Sequence, residues 1–72
     1  MARLKKNKYR IKGHGLTLEH SFYLSWAKDK TDREIIRQML ISSNFYETLQ
    51  GFDGGRKNFK LIKLRVHEEV HT

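Results

Sequence analysis

The chain has no cysteine and no proline. Without thiols there is no disulfide framework, no thiolate nucleophile and no Cys-based zinc site, a composition that leads us to expect a cytoplasmic protein. No apolar run approaches the roughly 18 residues that span a bilayer. The basic start has no apolar stretch behind it, so neither a membrane association nor a secretory leader is expected. There is no P-loop, no G-x-G-x-x-G and no G-x-S-x-G elbow, and the glycines fall where turns are expected. Seventy-two residues make one small domain, because a chain this short buries only about 60% of the surface it exposes when unfolded.

One spelling stands against these absences. His67 to His71 read H-E-E-V-H, the pattern in which two histidines one helical turn apart hold zinc and the glutamate between them activates water. That chemistry needs a helix, a third ligand and a cleft. Here the motif follows a β-branched run and ends one residue before the last, a poor context for a stable helix. His14 and His20, the other histidines, fall in a turn and in an alternating segment. Glu68 and Glu69 are adjacent, and on a strand they point to opposite faces rather than forming an acid/base pair. We therefore expect no metal, no cofactor and no catalysis, and read the protein as non-enzymatic.

What the chain has in excess is positive charge, 15 Lys+Arg against 8 Asp+Glu, for a net +7. The cations are segregated. Arg3, Lys5, Lys6, Lys8, Arg10 and Lys12 precede the first acid at Glu19, and Arg56, Lys57, Lys60, Lys63 and Arg65 form a second acid-free block. Solubility alone is served by mixed signs, whereas segregation is what a polyanion-binding surface needs.

Periodicity gives the elements. Residues 1–7 have no period and are expected to form a mobile basic arm preceding a single α+β domain over 8–72. Tyr9 and Ile11 alternate with Lys8, Arg10 and Lys12, a short strand with one apolar and one basic face. Gly13-His14-Gly15 follows as a hairpin turn, the glycines supplying positive φ. From Leu16 to Trp26 the chain alternates again, so the hairpin is expected over about 8–26; a helix over 17–28 competes, because Leu18, Phe22 and Trp26 are spaced by four. Thr31 and Glu34 form a capping box opening a helix over about 32–43, with Ile35, Ile36, Met39 and Leu40 on its apolar face; Tyr46 and Leu49 continue that stripe and leave the end open to 49. Asp53-Gly54-Gly55 marks a turn or loop, and 57–66 reads as a further strand with Ile62, Leu64 and Val66 inward and Lys57, Phe59, Leu61, Lys63 and Arg65 outward. The expected fold is α+β: a small antiparallel sheet with a helix packed on one face.

Such a fold leaves one sheet face uncovered. We expect the basic arm and the basic residues of the sheet, Arg3, Lys5, Lys6, Lys8, Arg10, Lys12, Arg56, Lys57, Phe59, Lys60, Lys63 and Arg65, to contact a nucleic acid, with Phe59 or Tyr23 available for stacking. We expect a regulatory or accessory nucleic-acid-binding protein that takes DNA in preference to RNA. The competing partner is an acidic surface on another protein, against which Phe59 and Leu61 would be apolar anchors. In a winged-helix arrangement, the helix starting at Asp32 would instead read bases with Arg33, Arg37 and Gln38.

Overall fold

A computed structural model describes the backbone of residues 2–71 and the side chains of residues 5–66. The order is β1 (Ala2–Gly13), β2 (Leu16–Tyr23), α1 (Leu24–Ala27), α2 (Asp32–Ser42), α3 (Tyr46–Asp53) and β3 (Lys60–His71). The strands form one antiparallel sheet in the order β2-β1-β3, and the helices cover one of its faces. This is the expected α+β architecture, with three helices where one was expected. Among the described residues no helix is long and apolar enough to cross a membrane.

β1 is the central strand, and its alternation sets the layers. Asn7, Tyr9 and Ile11 are buried under the helices. Tyr9 and Ile11 meet Ala27 of α1, Ile35, Ile36, Met39 and Leu40 of α2, and Leu49 and Phe52 of α3 in one core. The stripe read on α2 is therefore the buried one. β1 also starts earlier than expected: residues 2–7, anticipated as a mobile arm, are paired with β3 from Ala2↔His71 to Asn7↔Val66. Since β2 begins its pairing only at Lys6, the stretch before it is a two-stranded ribbon, and the molecule is 44 Å long and about 20 Å across.

The hairpin turn is at His14-Gly15, with φ of 51° and 75°, between the paired residues Gly13 and Leu16. The left-handed positions are thus His14 and Gly15 rather than the two glycines. Gly13 serves another need: a Cβ there would lie 2.6 Å from the carbonyl oxygen of Asn58 and 2.9 Å from the Phe59 ring. His14 adds a tie to the same segment, its Nε2 accepting from the Asn58 N–H at 3.2 Å and its ring standing edge-on to Phe59 at 5.7 Å.

The alternation after the turn holds only to Tyr23. The chain then makes one helical turn, Leu24–Ala27, which brings Phe22 and Trp26 into ring contact at 4.9 Å. The spacing by four was thus a true helical signal confined to the last turn. α2 opens with the expected box: Thr31 Oγ1 accepts from the Glu34 N–H at 3.2 Å, and the Glu34 carboxylate accepts from the Thr31 N–H at 3.5 Å. It ends at Ser42 because Asn44 takes φ of 61°. The Phe45 N–H then donates to the Leu40 carbonyl and the Asn44 N–H to that of Ile41, a Schellman closure with asparagine as the left-handed residue. α3 closes in the same way through Gly55 at φ 77°, with Arg56 N–H donating to Gly51 and Gly55 N–H to Phe52. Tyr46 and Leu49 therefore belong to a separate helix.

Because the space above Gly13 is filled by backbone, Gly13→Ala is expected to lower stability by about 1–3 kcal/mol. Urea denaturation of the variant should show a reduced midpoint with an unchanged slope; an unchanged midpoint would mean that the β3 entry yields without cost.

Candidate nucleic-acid interface

Directly paired residues of neighbouring strands project to the same face. The face opposite the core therefore carries Lys6, Lys8, Arg10 and Lys12 of β1 and Thr17, Glu19, Ser21 and Tyr23 of β2. From β3 it receives Lys60 and Ile62, which pair with Lys12 and Arg10, and Arg65, which pairs with Lys8. Six of the expected cations thus converge on one uncovered surface.

Lys63 does not join them, and the cause is the phase of β3. Leu61 pairs with Ile11 and Lys63 with Tyr9, so both lie on the helix side. The register then shifts between Lys8 and Tyr9: Arg65 is the partner of Lys8, and Leu64 is an extra residue, a bulge. Lys63 and Arg65 consequently face opposite sides, contrary to the parity expected. Ile62 is on the open face and Val66, expected in the core, is 48% exposed. Phe59 and Leu61 pack against the core, Phe59 lying 6.1 Å from Phe52, so neither is an exposed anchor. Arg56 and Lys57 lie in the loop after α3, where the Lys57 stem covers Gly51. Lys5 is exposed with the parity of Asn7, and the side chain of Arg3 lies outside the described residues.

Among the described residues Glu19 is the one acid on the open face. Its carboxylate accepts from Arg10 at 2.6 Å and pairs with Lys8 at 3.4 Å. The hydrogen bonds from Arg10 and then Lys8 hold its pKa below the usual 4.5. The aromatic ring on this face is Tyr23, 43% exposed, with the Lys6 ammonium 4.8 Å from its centroid.

The arginines of α2 have partners within the fold. Residues 16–23 are strand, and Arg33 donates to the Phe52 and Asp53 carbonyls at 3.2 and 3.3 Å while stacking on the Phe52 ring at 4.5 Å. Arg37 reaches both carboxylate oxygens of Asp53 at 3.2 Å. Both arginines bind α2 to the carbonyl end of α3, where the helix dipole favours cations. The zinc spelling also loses its geometry: His67 and His71 lie on β3, where residues four apart are separated by about 13 Å. Comparison with known protein families, curated proteins and solved structures finds no match.

On the other face of β2, His20 packs on Phe22 at 4.6 Å. Burial, and then the nearby Lys6 charge, lower its pKa from the usual 6.5. A histidine with a lowered folded-state pKa binds fewer protons than the unfolded chain in the window just below 6.5, so stability falls as pH falls through that window and levels off below the folded pKa. The urea midpoint of the wild type is expected to drop between pH 7.5 and 5 by more than that of His20→Gln; parallel pH profiles would remove His20 as a cause.

Proposed function

We propose that the protein binds duplex DNA through the uncovered face of its sheet, as a non-enzymatic accessory or regulatory protein. The observation that carries this reading is the convergence of Lys6, Lys8, Arg10, Lys12, Lys60 and Arg65 on one surface. Alternate residues of a strand are about 6.8 Å apart, so Lys6, Lys8, Arg10 and Lys12 span about 20 Å, close to six base-pair rises of duplex. The roughly 12 Å major groove of DNA admits a two-stranded β-ribbon, such as β1 with β3. The corresponding groove of A-form RNA is deep and narrow, which disfavours the same approach. Tyr23 and Thr17 flank the cations with groups able to contact sugar or base edges.

Cations that meet phosphates release counterions, so each lost contact lowers the slope of log affinity against log salt by about 0.9 on duplex DNA. Lys8→Ala with Arg65→Ala is expected to reduce that slope by about 1.8. Lys28→Ala with Lys63→Ala, the same charge change on the helix side, should leave it unaltered. Glu19→Gln removes the acid that competes with phosphate for Arg10 and Lys8 and should tighten binding without lowering the slope. Arg33→Ala with Arg37→Ala should cost about 1–2 kcal/mol of stability and not change the slope. Equal effects of the two lysine-containing pairs would refute the assignment to the open face. A wild type without salt-dependent DNA binding would sink the reading and leave an acidic protein surface as the partner.

A further inference from the structure

The cations of the open face are not equivalent. Arg10 lies opposite Glu19 of β2 and Ile62 of β3, so these three residues form one row across the sheet. Its Nε and Nη2 both donate to Glu19 Oε2, at 2.8 and 2.6 Å, while Oε1 of the same carboxylate makes a looser pair with Lys8 at 3.4 Å. A guanidinium carries five N–H donors in one rigid plane. Two of them are used on the side facing Glu19. The adjacent edge, Nη1 with the second hydrogen of Nη2, has no partner among the described residues.

A cation that meets phosphate needs neither a fixed direction nor a carboxylate beside it, and Glu19 offsets much of the charge that Arg10 would present to a phosphate. What the pair supplies is orientation. The carboxylate holds the guanidinium plane, so less side-chain freedom is lost when the free edge meets a ligand. Two parallel donors in a plane match two acceptors on one rigid edge. In duplex DNA that edge belongs to guanine, whose O6 and N7 both face the major groove, whereas adenine has a donor where guanine has O6. The position of the row agrees. Lys12 and Lys60 flank it on one side, Lys8 and Arg65 on the other, an arrangement with cations placed for phosphates around a centre placed for bases. Ile62 is a partly exposed apolar group in that centre, of no use to a phosphate and suited to a thymine methyl.

We propose that Arg10, held by Glu19, reads guanine in the major groove, so that the protein selects duplexes with a G·C pair at the centre of its contact. The inference rests on the DNA reading and adds a sequence preference to it. Arg10 is the specificity-determining residue, and Glu19 is a positioning residue that acts through it.

The test is selection by the full chain, at moderate salt, from duplexes randomised over about six base pairs, the length spanned by Lys6 to Lys12, with the bound fraction sequenced. Wild type is expected to enrich guanine about tenfold over each other base at one position. Arg10→Lys keeps the charge and loses the fork; it should retain the wild-type salt slope and show no guanine enrichment. Glu19→Gln should bind every duplex more tightly and discriminate less, a loss that a purely electrostatic role for Glu19 does not produce. On the selected sequence, 7-deazaguanine at the enriched position, which removes the N7 acceptor, should weaken wild-type binding about tenfold and leave Arg10→Lys unaffected; its wild-type arm needs no variant to fold. Salt-dependent binding without base preference, a preference that survives in Arg10→Lys, or indifference of the wild type to 7-deazaguanine would each overturn the inference and leave the DNA reading standing. Absence of salt-dependent DNA binding would overturn both.

Discussion

The burial of Ile11 and Tyr9 beneath the helices is the constraint on which the remainder depends. Both lie on the only strand that pairs on its two sides. Because side chains of a strand alternate strictly between faces, burying these two commits Lys8, Arg10 and Lys12 to the opposite face. The two ladders then pass that phase outward to β2 and β3. A core built from few large side chains thereby decides where a large part of the positive charge resides. A one-residue slip of β1 would bury its cations, at a cost far above what so small a core could offset.

How much of this was legible in the sequence depends on how local each determinant is. The capping box of α2, its apolar stripe and the two-faced character of residues 8–12 are set by residues within a few positions of one another, and all three were readable. The end of α2 was marked by Ser42-Ser43-Asn44, but only the left-handed conformation of Asn44 separates α2 from α3. The phase of β3 could not be read in this way. Ile62, Leu64 and Val66 give the more apolar alternation, yet the phase is decided by long-range pairing: Leu61 meets Ile11. The bulge at Leu64 then breaks the period inside the strand, so no single parity describes it. The interface expected from the sequence accordingly kept Lys6, Lys8, Arg10, Lys12, Lys60 and Arg65, and lost Lys5, Phe59 and Lys63 to the other side.

A similar limit applies to Arg33 and Arg37. Exposed arginines on an amphipathic helix read equally well as solvated charge, as base-reading groups or as ties to a neighbouring element. The sequence does not announce that α3 ends beside them, and its free carbonyls and Asp53 become their partners only through tertiary packing. β1 emerges as a partition between two chemistries. Its even-numbered residues from Lys6 to Lys12 form a charged, open surface, while Asn7 and Tyr9 contribute a polar pair within an otherwise apolar interior.

The bulge at Leu64 bears also on the outer edge of the sheet. β3 is a long outer strand whose unpaired edge could template the strand of a second molecule and nucleate aggregation. Proline is the usual interruption of such an edge, and this chain has none. An extra residue near the middle of the strand performs the same service, since it bends the strand and disrupts the regular spacing of the N–H and C=O groups left over for pairing. The irregularity that turns Arg65 toward Lys8 is also a guard against continuing the sheet from one molecule to the next.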